Sequence, residues 1–185
     1  MTNTEIESAL NSMNLQTDRL VLKKFSTEDA MFNIEDEMDQ NLMKYIRDPL
    51  SLDETTKKTM ELVTPYVLDD DKWCLFSIRT KESNNYIGLV CLKALSVEDG
   101  LFEIGWRLRQ EYHGKGFATE ATKAAVKYIF ESINAHKLIA LADSENEASV
   151  NIMEKLGMVQ EAHHKKHFKA ENLFIVPLLY EMSYG

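Results

Sequence analysis

The sequence predicts a mixed α/β domain, one sheet flanked by helices, and three observations carry that reading. Strand-like runs with alternating apolar residues occur near both ends of the chain and in a block through its middle. Runs with apolar residues three and four apart separate them, as in helices that pack on a sheet. Between the run Leu101–Leu108 and the longest helical pattern lies a turn with two glycines, His113-Gly114-Lys115-Gly116-Phe117. The resulting order is strand, helices, three strands, helix, strand, helix and two strands.

Each element has its own justification. Residues 1–14 read as an N-terminal extension, a short helix or a loose tail, ahead of a single domain spanning 15–185. Leu15 to Phe25 reads as a strand, with Leu20 and Leu22 alternating against Arg19, Val21 and Lys23. Ser26 or Thr27 then caps a helix whose first turn carries Glu28 and Asp29. Ala30 to Asp71 is helical in composition, broken at Asp48-Pro49, and Ser51 or Asp53 caps a segment from Thr55 to Val67. Trp73–Arg79 and Tyr86–Leu95 are strands joined by the polar turn Lys81–Asn85. In the strand 101–108, Phe102, Ile104, Trp106 and Leu108 face one way and Glu103, Gly105, Arg107 and Arg109 the other. A helix runs from Gly116 to about Asn134, its alanines suited to close packing on a sheet. Leu138–Ala142 is a short strand and Glu147–Leu156 a helix stopped by Gly157. Met158–Lys166 and Asn172–Ser183 close the chain as two strands.

Bulk properties exclude several function classes. The chain has 185 residues, 44% apolar and 28% charged, enough for one domain with a real core. No apolar run approaches the ~20 residues of a membrane span, and Met1–Met13 is too polar for a signal peptide. Cys74 and Cys91 sit in apolar strands and read as reduced, buried thiols, which implies the cytoplasm. A net charge of −9 argues against nucleic acid as a partner. The acidic clusters Glu35-Asp36-Glu37, Asp53-Glu54 and Asp69-Asp70-Asp71 serve solubility, or form a rim that attracts a cationic substrate. His163-His164-Lys165-Lys166-His167 invites a metal reading, but Lys165 stands between His163 and His167 on one strand face and repels a cation. No metal is expected.

The glycine turn is the feature that points to a ligand. Glycines at a strand-to-helix junction let the backbone approach closely, and the first helical turn presents free N–H groups toward negative charge. Lys115 adds a cation. The spacing fits neither a P-loop nor a dinucleotide fingerprint, so the anion expected is the pyrophosphate of another cofactor.

Taken together, Phe102-Glu103-Ile104-Gly105-Trp106-Arg107-Leu108-Arg109 and His113-Gly114-Lys115-Gly116-Phe117-Ala118-Thr119-Glu120-Ala121 resemble the acetyl-CoA motif of the GNAT acetyltransferases. Asn146-Glu147-Ala148-Ser149 and Met153-Glu154-Lys155-Leu156-Gly157-Met158 resemble its third part. The opening Leu15-Gln16-Thr17-Asp18-Arg19-Leu20-Val21-Leu22 is similar to the first strand of the RimJ/RimL-like branch. The resemblance implies a mostly antiparallel, splayed sheet with acetyl-CoA wedged where two strands part. It implies that the backbone of Trp106, Arg107 and Leu108 pairs with the pantetheine arm. Amides from His113 through Gly114, Lys115, Gly116, Phe117 and Ala118 to Thr119 would hold the pyrophosphate. Asn146 would bond the pantetheine, and Asn151 the same arm or the adenosine end.

Two positions depart from the family pattern. Glu111 stands where Gln or Arg is frequent, and Met153 where a tyrosine often protonates the leaving thiolate. Ser149 is the replacement candidate for that acid, and Glu103 the candidate base. The implied partners are acetyl-CoA and a primary amine, a protein or peptide N-terminus or a small amine, with a homodimer left open. A non-catalytic acyl-CoA-binding module that kept the cradle and lost the chemistry is the alternative.

Overall fold

A hairpin opens the sheet where the sequence reads one strand. The Thr17 hydroxyl oxygen accepts the amide of Leu20 at 2.9 Å, and the chain turns there, splitting the run into β1 (Asn14–Gln16) and β2 (Leu20–Lys24). The computed structural model describes residues 1–69, 72–166 and 169–176, with side chains through Gln160. Asp70, Asp71, His167 and the end of the expected final strand beyond Val176 lie outside the described residues. So do the side chains of His163, His164 and Lys165.

The sheet continues through β3 (Trp73–Thr80), β4 (Tyr86–Ser96), β5 (Leu101–Leu108), β6 (Lys137–Asp143), β7 (Val159–Lys166) and β8 (Lys169–Val176). Their spatial order is β1-β2-β3-β4-β5-β6-β8-β7. Every pairing is antiparallel except β5 with β6. The parallel pair needs a crossover, and α5 (Phe117–Ser132) supplies it. The remaining helices are α1 (Asn3–Asn11), α2 (Ala30–Met38), α3 (Gln40–Met43), α4 (Leu52–Leu62) and α6 (Glu147–Lys155). Ser51 is the residue that caps α4, and Glu54 reaches back to it, a reciprocal box that starts the helix earlier than Thr55.

Alternation along the strands sorts the side chains onto two faces. Leu22, Phe76, Val90, Leu92, Phe102 and Ile104 form one face, covered by Ala121, Ala125 and Ile129 of α5. Ile6 and Leu10 of α1 are buried in the same core, each worth about 1.5–3 kcal/mol of burial. The opposite face carries Leu75 and Leu89 with Phe25, closed by Leu62 of α4.

On that second face the strand pattern meets an exception. Arg107, a cation on this largely apolar face, is buried. Its guanidinium bonds Glu37 and, at 2.7 Å, the Asn33 amide oxygen, both on α2. Arg109 completes the clamp, with its Nε 2.7 Å from Asp36 and a terminal nitrogen 2.8 Å from Glu35. Asp36 also accepts the Tyr86 hydroxyl at 3.2 Å, while Tyr86 stacks on Phe32 at 5.0 Å. Arg47 takes the second oxygen of Glu37. The Glu35-Asp36-Glu37 cluster is therefore spent on holding α2 to β5, not displayed as an acidic rim. Burial still raises the Asp36 carboxyl above its ordinary value against the pull of both arginines.

Gly88 marks a point of close backbone approach. Its φ is +149°, and an added Cβ would lie 2.1 Å from the Arg107 carbonyl oxygen. Gly88→Ala should therefore cost ~1–3 kcal/mol or more, read as a lower urea midpoint with an unchanged slope. A midpoint equal to that of the wild type would contradict the packing at β4–β5.

Candidate active site

β5 and β6 pair at Leu101–Lys137, Phe102–Leu138 and Glu103–Ile139, and there the pairing ends. Beyond it β5 keeps its bonds to β4, while β6 keeps its bonds to β8. Arg109 donates its N–H to the Ile87 carbonyl at 2.9 Å. Antiparallel bonding alternates, so the odd residues of β5 serve β4 and the peptide groups of Ile104, Trp106 and Leu108 turn toward the opening. The His113 ring nitrogen sits 2.8 Å from the Leu108 carbonyl oxygen at its rim.

The opening is one end of a cleft of about 970 Å³. Its second feature is the start of α5. Gly116 caps that helix with φ +78° and no side-chain hydrogen bond, so the first-turn amides of Phe117, Ala118 and Thr119 have no helical partner. A non-glycine residue would be strained at that angle. The turn is held by charge. Arg19, in the β1–β2 hairpin, bonds the Lys115 carbonyl at 3.0 Å and stacks on Phe117 at 4.4 Å. Glu120 receives Arg19 Nε at 2.7 Å, the Arg19 amide at 3.0 Å and the Thr17 hydroxyl at 2.5 Å.

Most of the residues singled out in the sequence converge on this cleft. Glu103, Trp106, Arg107, Leu108, His113, Gly114, Gly116, Phe117, Ala118, Thr119, Asn146, Ser149 and Asn151 all line it. Lys115 does not; its ammonium bonds the Glu111 carbonyl at 2.8 Å and lies over the Tyr112 ring. The Arg107 guanidinium is committed to α2, as described. Asn146 caps α6, its side-chain oxygen accepting the Ser149 amide at 3.2 Å. The Ser149 hydroxyl makes no hydrogen bond among the described residues. Met153 also lines the cleft and is buried, so no proton donor stands at that position. Glu103 stands opposite Lys93 in the β4–β5 register, on the face shared with Gly105 and Cys91. A Cβ on Gly105 would come within 2.9 Å of the Cys91 sulfur, so the glycine makes room for it. Burial pushes the Cys91 thiol up to about 12, which leaves it protonated and unreactive at neutral pH. Both cysteines are free.

Some cleft residues carried no signal in the sequence. Tyr45, Arg47, Thr55 and Lys58 reach it from the α2–α4 region. They share no spacing with a known motif, and only the tertiary fold gathers them. Lys44 donates to the Tyr45 hydroxyl at 3.0 Å. Among the described residues no group of three or more His, Cys, Asp or Glu is placed to hold a metal, and no helix is long and apolar enough to cross a membrane.

Residues 19–159 match the model of the acetyltransferase (GNAT) domain. The chain belongs to the GNAT acetyltransferases. An uncharacterized N-acetyltransferase of Bacillus subtilis, YnaD, is 30% identical over 83% of this chain and 87% of its own length. The crystal structure of a GNAT-family acetyltransferase from Bacillus anthracis superposes with a TM-score of 0.78 at 26% identity, covering 90% of this chain and 99% of that one. A Vibrio cholerae spermidine N-acetyltransferase, solved with CoA and spermine, has a TM-score of 0.76 at 23% identity over 90% of this chain and 99% of that one. A ribosomal-protein-S5-alanine acetyltransferase from Vibrio fischeri has a TM-score of 0.75 at 18% identity over 90% of this chain and 97% of its own.

This GNAT chain is an N-acetyltransferase, and the fold binds acetyl-CoA. The residues present suit that molecule. An extended, amide-bearing arm matches the unpaired peptide groups of β5, and a diphosphate matches the uncapped amides of α5.

Glu120 also makes the turn sensitive to acid. Burial alone would raise its carboxyl, but the bonds from Thr17 and Arg19 outweigh that and hold it below the ordinary value of 4.5. Its stabilising contribution is thus fully present above the unfolded value and is lost as pH falls through the depressed folded value. Glu120→Gln should flatten the acid limb of stability against pH, followed by denaturation from neutrality to about pH 3. An acid limb as steep in the variant as in the wild type would contradict this account.

Proposed function

We propose that this GNAT enzyme moves the acetyl group of acetyl-CoA to a primary amine by direct attack, with the α-amine of a protein or peptide N-terminus as the favoured acceptor. The observation that carries it is the parting of β5 from β6 immediately beyond Glu103, which lines the cleft beside unpaired backbone. Bound acetyl-CoA supplies an activated thioester. The chain supplies the rest. The peptide groups of Trp106 and Leu108 align the pantetheine arm, with Arg107 between them fixing the strand. The amides from His113 to Thr119 hold the pyrophosphate, the Lys115 backbone included, while Asn146 and Asn151 bond the arm or the adenosine end.

Only a neutral amine is nucleophilic. An α-amine near pKa ~8 needs far less help than a lysine near ~10.4, so one carboxylate suffices. Glu103 takes the amine's proton, and the Ser149 hydroxyl gives one to the departing sulfur in place of the methionine at 153. An unpaired β5 amide close to Glu103 is the candidate donor to the developing oxyanion. No thiol nucleophile competes, because Cys91 stays protonated.

The RimJ/RimL-like branch remains our reading from the sequence motifs. A spermidine and a ribosomal-protein enzyme share this fold nearly equally, so likeness of fold alone does not select between them. A spermidine N(1)-acetyltransferase of Escherichia coli is 49% identical, but over 47 residues, a quarter of each chain.

Glu103→Gln should lower turnover with an amine acceptor by ~10²–10⁴-fold and leave the KM for acetyl-CoA nearly unchanged. Steady-state release of the coenzyme A thiol between about pH 6 and 9 checks both. Turnover equal to wild type across that range would remove Glu103 from the mechanism.

A further inference from the structure

The acceptor end of the cleft is built of hydrogen-bond donors and cations. α4 presents Thr55, Lys58, Thr59 and Leu62 to it, positions three and four apart on one helical face. This face lines the same cleft as Glu103, and a buried relay ties it to β5. Arg107 donates to the Asn33 oxygen at 2.7 Å, and the Asn33 amide donates to the Thr59 hydroxyl oxygen at 2.9 Å. With that oxygen used as an acceptor, the Thr59 hydroxyl keeps its proton to give. Thr55 is 1% exposed, and its hydroxyl has no partner among the described residues. A buried, unpartnered hydroxyl is costly, and this one lines the cleft. Lys58 is exposed and forms no ion pair among the described residues, although Glu54 lies one turn back on the helix. The nearby acid is spent, since Glu37 is held by Arg107 and Arg47 together. The strand side of the cleft is different, with Glu103 and Asp143 on its wall.

We infer that the acceptor carries a carboxylate near its amine, bound by Lys58 and the Thr55 hydroxyl while the amine faces Glu103. This rests on the acetyl-transfer reading and narrows its substrate class. The cleft has an acidic end for the ammonium group and a donor-rich, cationic end for the anion. Polyamines, with a second cation where this wall offers Lys58, are disfavoured.

The test follows coenzyme A thiol release with the intact chain. Its acceptors are free glutamate, a C-terminally amidated peptide beginning with glutamate, the same peptide beginning with lysine, and spermidine. The carboxylate-bearing acceptors should exceed spermidine in kcat/KM by at least about tenfold, and the ratio of glutamate to its peptide tells a free amino acid from a peptide N-terminus. Lys58→Glu should lower kcat/KM for the carboxylate acceptors by at least about tenfold, without moving the KM for acetyl-CoA. Thr55→Val should lower it too, yet raise the melting temperature of the free enzyme, because an unpartnered buried hydroxyl has been removed. A purely structural hydroxyl would give the opposite shift in melting temperature and no loss of acceptor discrimination. Spermidine used as well as or better than glutamate, or carboxylate acceptors indifferent to Lys58→Glu, overturns the inference and leaves acetyl transfer standing. Absence of thiol release with every amine overturns both.

Discussion

Among the described residues, β5 has two neighbours along its first three residues and one along the rest. Where β6 leaves, the peptide groups of Ile104, Trp106 and Leu108 keep their polarity without a ladder to satisfy it. A buried peptide group without a partner is expensive, so this edge must meet water or a ligand. The cleft and the exposed backbone edge within it follow from that divergence. The start of α5 lies on the same cleft because α5 is the crossover that a parallel β5–β6 pair requires. The two unsatisfied backbone features are thus parts of one topological event.

Holding such a gap open needs rigid walls. On one face α5 and α1 pack a continuous apolar core against the sheet. On the other, α2 is fixed by charge, with Arg107 and Arg109 of the β5 segment meeting Glu35, Asp36 and Glu37. Buried ion pairs of this kind add little net stability over apolar packing, yet losing one partner is severe. Their consequence here is positional. They fix α2 to the strand that carries Glu103, and the Asn33–Thr59 bond passes that constraint on to α4.

The sheet and the nucleotide-like turn were legible because their signals are local. Alternation in 101–108, the glycines at 114 and 116 and the alanine-rich helix behind them each occupy a short window. What sequence reading missed depends on distant partners. Arg107 is buried against a carboxylate partner, Glu37, that lies 70 residues away. Glu120 stands in the middle of the motif with no apparent task, until Arg19 arrives from 101 residues upstream. Lys115 looked like a phosphate ligand because it sits between glycines; its side chain instead folds back on the Glu111 carbonyl and Tyr112. The split of Leu15–Phe25 into two strands turned on one threonine hydroxyl, which no periodicity reports.

Amide hydrogen exchange on adding acetyl-CoA tests the divergence of β5 and β6 most directly. The account predicts new protection at the amides of Ile104, Trp106 and Leu108 together with Phe117, Ala118 and Thr119, and little change in β2 or β3. Protection confined to other segments, with these amides exchanging as before, would contradict it.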